Sequence, residues 1–307
     1  MKVLLYSHKS DIDGMGSVIL SKLVYNDLKY KLYKNPNDLS IHLEEDYRDG
    51  LLYNYDLINI TDLSPNKELV DILFNDDKLK DKIHLYGHHE TALASGITKY
   101  KNINIEIENE SATSIYYKYL LNNHLIERNN CIDRFVECVT REDLWTWKDN
   151  NDTISHDLSI LFNSIGYEKY ISLMTNKLLT YDKFVFSKEE LEEIDNKKKQ
   201  TLEKVEFYVK DLIIKEIDNI KVGFCFINYE YRNEVAEYLK DKVNIDTVGM
   251  IALDNNQISF RNIKMDKPYS RIIAEKYHGG GHDNAAAVPI NKDIKELLIN
   301  TIIKTQE

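Results

Sequence analysis

Three short apolar runs, each ending abruptly in a polar cluster, constrain this chain more than any other feature of its 307 residues. Lys2 to Tyr6 (KVLLY) runs into SHKSDIDG, and LLYNYDLINI, ending near Ile60, runs into TDLS. Lys82 to His89 (KIHLYGHH) closes on its own two histidines. Short apolar runs with such flanks read as buried strands. Helical patterns lie between and after them, at Met15 to Leu28 and around Lys67 to Phe74. Strands alternating with helices predict an α/β fold with a parallel sheet. Ligands of such sheets bind beyond the carboxyl ends of the strands, where these polar clusters fall.

Further along, Ser111 to Leu121 reads as a helix with an N-terminal cap signal, and Cys131 to Trp147 as mostly helical. The charge-dense stretch from Ser187 to Ile217 places apolar residues at Leu191, Ile194, Leu202, Val205, Val209 and Leu212. That spacing predicts an amphipathic surface helix linking two lobes. Strands at Lys221 to Asn228, TVGMIAL and QISFRNI, with a helix at Asn233 to Lys242, predict a smaller mixed α/β lobe. The expected division is 1–185, a helical linker at 186–217, and 218–307.

Composition narrows the function. The net charge is -11, which disfavours non-specific binding along duplex DNA. A small anionic substrate stays compatible, because bound cations reverse a local field. Cys131, Cys138 and Cys225 are too few and scattered for a disulfide framework or a cysteine zinc site. The opening apolar run is too short for a signal peptide, and no run approaches the ~20 residues needed to span a bilayer. The expected location is the cytoplasm.

The chemistry-bearing residues are few. His8, Asp11 and Asp13 lie within six residues, with Gly14 and Gly16 just after them. Oxygen and imidazole donors together suit ions such as Mn²⁺ or Mg²⁺, but either aspartate equally suits a helix cap. Asp62 alone reads as an ordinary N-cap. His88 and His89 are adjacent, so in an extended chain they are expected to point apart and do different jobs. Asp143, beside two tryptophans, is a cap or a buried acceptor. Gly279, Gly280, Gly281 and His282 suit a backbone cradle for phosphate, and Ala285, Ala286 and Ala287 suggest a closely packed helix.

In order and combination, these motifs resemble the DHH phosphoesterase superfamily. That family has an N-terminal His/Asp-x-Asp motif, a strand-end Asp, a DHH triplet, a later Asp, and a DHH-associated lobe with a GGGH loop. Counterparts of all five span residues 8 to 287, and the DLWTW segment looks most like the nanoRNase or oligoribonuclease branch. The resemblance implies a parallel-sheet DHH domain, a smaller DHH-associated domain and two divalent cations, Mn²⁺ first and Mg²⁺ second. His8 and Asp11 would hold one ion, Asp13, His88 and Asp143 the other, and Asp62 would bridge them. His89 would contact the scissile phosphate. Arg261, Gly279, Gly280, Gly281 and His282 would hold substrate.

The implied activity is hydrolysis of short oligonucleotides or dinucleotides to mononucleotides. Cyclic dinucleotides and bisphosphonucleotides are alternative substrates. Long duplexes and membranes are not expected partners, and a homodimer is left open. The triplet here is Gly87-His88-His89, however, so a weakened, nucleotide-binding protein is a further alternative.

Overall fold

The computed structural model describes residues 1–89, 92 and 96–304. The chain divides into two compact units, Met1–Lys197 and Lys198–Glu307. The boundary falls inside one helix, Lys188–Val209. Ile194, before the boundary, is buried in the core of the first unit, and Val205, after it, in that of the second.

The first unit is an α/β domain on five parallel strands. They are β1 (Lys2–His8), β2 (Asp27–Tyr33), β3 (Leu57–Thr61), β4 (Ile83–Gly87) and β5 (Ile103–Ile105), in spatial order β2-β1-β3-β4-β5. Alternation along β1 sends Val3 and Leu5 to one core and Leu4 and Tyr6 to the other. Helices α2 (Pro36–Arg48) and α3 (Lys67–Asn75) cover the second face through Leu39, Leu43, Val70 and Leu73. Helices α1 (Ile12–Val24), α4 (Ala112–Asn122), α5 (Asn130–Asp143), α6 (Thr153–Ile165) and α7 (Tyr167–Thr180) cover the first. From β1 the chain goes to β2 on one side and then returns past β1 to β3 on the other. The strand order therefore reverses between β1 and β3, and this switch point is where such sheets hold ligands.

Two strands of the first unit escape the sequence reading. The helix expected to reach Leu28 stops at Val24, because Asp27–Tyr33 pairs with all of β1. That strand mixes charged and apolar residues, as an edge strand with few buried positions does. β5 is only three residues long.

The second unit is built on a six-stranded mixed sheet, ordered β10-β11-β9-β8-β7-β6. Its strands are β6 (Ile213–Ile217), β7 (Ile220–Phe226), β8 (Thr247–Ala252), β9 (Gln257–Asn262), β10 (Gly280–His282) and β11 (Ala285–Pro289). Only β7 and β8 pair in parallel. Three helices accompany them, α9 (Arg232–Leu239), α10 (Tyr269–Lys276) and α11 (Lys292–Lys304), while α8 is the boundary helix Lys188–Val209.

Two expectations fail here. The amphipathic helix does not continue to Ile217, since Ile213–Ile217 hairpins onto β7 as an exposed edge strand. Nor are Ala285–Ala287 helical. They form β11 and pair with Gly280–His282, so most of the glycine-rich segment is a strand rather than an open loop. Small residues serve there because two backbones approach closely, with a Cβ on Gly281 falling 2.6 Å from the Ala285 carbonyl oxygen. Among the described residues, no helix is long and apolar enough to cross a membrane.

Candidate metal centre

The end of β1 supplies the first donors. His8 is its last residue, and its Nε2 lies 3.0 Å from the Lys34 carbonyl oxygen. With the proton on Nε2, that bond leaves the Nδ1 lone pair free. Nδ1 faces Asp11 Oδ2 at 2.5 Å and Asp62 Oδ2 at 3.2 Å. Asp11 also caps α1, its Oδ1 accepting from the Gly14 amide at 3.0 Å. Capping and facing the cluster are thus compatible in one carboxylate. The chain turns tightly here because residue 14 has no side chain, since a Cβ would sit 2.1 Å from the His8 carbonyl oxygen.

Asp13 is fully buried. Its two oxygens accept the amides of Ala112 and Thr113, each at 2.8 Å, at the start of α4. A carboxylate at a helix N-terminus satisfies orphan donors and opposes the helix dipole. Gly16 lets α1 approach the same place, since a Cβ there would meet Thr113 Oγ1 at 2.4 Å.

Asp62 follows β3 directly and is 2% exposed. It is not the N-cap of α3, a role Asn66 fills by accepting from Leu69. Its backbone is left-handed, at φ 63°, a conformation aspartate tolerates better than most residues. Its two oxygens face different partners. Oδ2 looks to His8, while Oδ1 lies 3.6 Å from His88 Nε2 and 3.4 Å from His89 Nε2.

The two histidines do not point apart. β4 ends at Gly87, so neither lies in an extended strand. Their rings are 4.4 Å apart, and both Nε2 atoms reach one oxygen of Asp62. Asp143, the last residue of α5, completes the cluster, with Oδ2 3.4 Å from His88 Nε2. Asp13 Oδ2 lies 3.7 Å from the same nitrogen. Three overlapping groups could hold metal ions: His8, Asp11 and Asp62; Asp13, His88 and Asp143; and Asp62, His88 and His89.

Charge and hydrogen bonding both favour cations here. Burial, then the charges of Asp62 and Asp11, push the Asp13 carboxyl up to about 7. Burial, then the charge of Asp13, push Asp143 up to about 8. Burial works against a charged His8, but the carboxylates of Asp11 and Asp62 beside Nδ1 overcome it and raise the ring to about 10. Burial likewise opposes a charge on Asp62, yet the close approach of the His8, His88 and His89 rings holds its carboxyl well below the usual range. Protons are needed to balance four carboxylates in one pocket. Moreover, Asp62 Oδ2, His88 Nε2 and Asp143 Oδ2 are buried without a hydrogen-bond partner among the described residues. Orphaned buried polar atoms are costly. Hard oxygen and imidazole donors arranged this way fit divalent cations of the Mn²⁺ or Mg²⁺ kind.

No protein-family model matches the chain. It is 28% identical to oligoribonuclease NrnB of Bacillus subtilis over 312 residues, covering 96% of this chain and 74% of the relative. This likeness accords with the resemblance of the chain's motifs to the DHH phosphoesterase superfamily. Its fold agrees. A pGpG-specific phosphodiesterase from Vibrio cholerae superposes with a TM-score of 0.55 at 15% identity, over 99% of this chain and 98% of the other. The exonuclease RecJ of Thermus thermophilus, solved with Mn²⁺, gives 0.56 at 12% identity, over 95% of this chain and 50% of its own.

Against the DHH pattern, the triplet's first residue is glycine. Gly87 is buried, and a Cβ there would meet nothing nearer than Leu85 Cδ2, at 4.0 Å. The backbone therefore leaves room for a side chain at this position.

In the second unit, Arg261 lies on β9 and His282 is exposed on β10. The Gly279 amide is taken by the Ala274 carbonyl at 2.8 Å. Sequence reasoning missed the backbone supports of the cluster, namely the Lys34 carbonyl and the amides of Ala112 and Thr113. The cap signal at Ser111 marked the helix, but nothing local tied it to Asp13, about a hundred residues earlier.

Proposed function

We propose that this chain is a metal-dependent phosphodiesterase that hydrolyses oligonucleotides of a few residues to mononucleotides. The carrying observation is Asp62, buried and orphaned at one oxygen, with its two oxygens turned to two separate donor groups. A carboxylate so placed suits a bridge between two ions, Mn²⁺ by preference. On this reading His8 and Asp11 hold one ion, and Asp13, His88 and Asp143 the other. Paired divalent cations supply a water that ionises near neutral pH and charge to stabilise the departing oxygen.

The chain's own residues do the positioning. The Lys34 carbonyl orients His8, and the start of α4 holds Asp13 rigid. Preorganised donors avoid reorganisation during reaction. His89 is half-exposed beside the more enclosed His88 and is assigned to the scissile phosphate. Arg261, Gly279–Gly281 and His282 are assigned to holding substrate. A short substrate is favoured because the chain is acidic overall and lacks the basic stripe that long single strands require. The relative's name, oligoribonuclease, supports the same choice.

The test is turnover of dinucleotides against 20-mers with Mn²⁺ and with EDTA, alongside cyclic dinucleotides and adenosine bisphosphate. Dinucleotide cleavage that stops with EDTA is expected, and faster cleavage of 20-mers would overturn the short-substrate reading.

A second reading, a nucleotide binder of weakened activity, rests on Gly87. Replacing Gly87 with Asp is expected to leave the fold intact, given the open space there. It should tighten Mn²⁺ binding by about tenfold, the usual size of an outer carboxylate's effect on a metal site. Activity appearing only in the Gly87→Asp protein would establish the binder reading for the native chain.

A further inference from the structure

The first unit's core holds polar atoms that hydrophobic packing does not require. Asn59 stands in the middle of β3, between Ile58 and Ile60, where a buried parallel strand normally carries aliphatic residues. It is fully buried, as are Ser21 on α1, Tyr86 on β4 and Tyr116 on α4. Tyr25, just past the end of α1, is buried as well. Part of this group is satisfied. Asn59 Nδ2 donates to the Tyr116 hydroxyl at 3.2 Å, and that hydroxyl lies 2.9 Å from Ser21 Oγ. Three atoms are not satisfied. Asn59 Oδ1, the Tyr86 hydroxyl and the Tyr25 hydroxyl are buried without a hydrogen-bond partner among the described residues. Turning the Asn59 amide over exchanges Oδ1 for Nδ2 and still leaves one amide atom orphaned.

The orphaned atoms come from separate elements that meet on one face of the sheet. The Tyr86 and Tyr116 rings have centroids 5.0 Å apart, and Asn59 pairs in register with His84, whose ring stacks on Tyr86. The group is also uncharged. Burial, then the Tyr119 and Tyr116 hydroxyls, hold the Tyr86 hydroxyl above its ordinary range. Burial, then the Tyr25 hydroxyl, do the same for Tyr116. Burial, then the charge of Lys101, lower His84. A neutral cluster offering hydroxyl donors and an amide acceptor suits no ion, but it suits water, which donates and accepts at once. We infer that Tyr25, Asn59 and Tyr86 form an internal binding site for an ordered water molecule. The water accepts from the two hydroxyls and donates to Asn59 Oδ1, about three bonds being usual for a buried water. These side chains are not among the candidate metal ligands. Tyr86 nevertheless adjoins that centre through its backbone, its carbonyl accepting the Asp62 amide at 2.9 Å.

The experiment uses the full-length protein treated with EDTA, so its outcome does not depend on the metal reading. A high-resolution crystal structure is expected to show a water within hydrogen-bond distance of both hydroxyls and the Asn59 amide. The thermal midpoint of Tyr86→Phe, followed by circular dichroism, is expected to fall by roughly 2–4 °C, the size of one hydrogen bond in a domain of this length. The sign of that shift is decisive. A hydroxyl buried with no partner at all is a burden, so removing it raises the midpoint, whereas removing a hydroxyl bonded to water lowers it. A midpoint in Tyr86→Phe that rises or stays unchanged would overturn the proposal. So would density showing the two hydroxyls bonded to protein atoms with no water among them, a result that requires no variant to fold.

Discussion

At the scale of single residues, the decisive property of the cluster is its surplus of negative charge, held in check by protons. Asp13 and Asp143 bind protons at pH values where exposed aspartates have lost them, and His8 keeps one to about 10. Each of these groups has its affinity raised above its unfolded value, so each stabilises the metal-free fold at low pH and ceases to do so as pH rises through its folded value. On the proposed reading, Mn²⁺ would displace the same protons. The melting-temperature gap between Mn²⁺-loaded and EDTA-treated protein should therefore widen from pH 6 to pH 8.5. Each displaced proton contributes about 1.4 kcal/mol per pH unit, and differential scanning fluorimetry across that range measures it. Asp62→Asn retains the shape but removes the shared charge. Dinucleotide turnover should fall by at least about 100-fold, read as kcat with saturating Mn²⁺, while circular dichroism stays native.

At the scale of elements, α5 ends in an unusual way. Trp145 N–H bonds the Glu142 carbonyl and Thr146 N–H the Arg141 carbonyl, a pairing that closes a helix with a left-handed residue. That position normally takes glycine, yet here it holds a tryptophan at φ 59°, 53% exposed and two residues past Asp143. Trp145→Gly should raise the unfolding free energy by about 1 kcal/mol, visible as a higher urea midpoint with unchanged m-value. The same scale shows what the sequence could reveal. Strands β1, β3 and β4 were legible because they are buried on both faces and read as apolar runs. β2 and β6 were not, because exposed edge strands carry charges that blur any period. The His88–His89 pair was misjudged because the rule of alternation holds only inside a strand, and β4 stops one residue earlier.

At the scale of the whole chain, the motif order that resembles the DHH superfamily is visible from the sequence, since the residues carrying it lie at strand and helix ends. How they converge was not. Asp13 is fastened by amides about one hundred residues downstream, and Asp143 arrives at the end of a further helix. Contacts of such sequence separation leave no periodic trace in a local window.

That same fastening has a consequence for biosynthesis. A ribosome must release residues 112 and 113 before Asp13 gains its amide donors, and residue 143 before the last carboxylate exists. Until then the emerging polypeptide displays a partial set of acids with nothing to fix their spacing. On the proposed reading, ion loading would be a late event, following translation of the first unit's helices. A fragment ending at residue 110 should take up no more Mn²⁺ in equilibrium dialysis than its Asp62→Asn counterpart does.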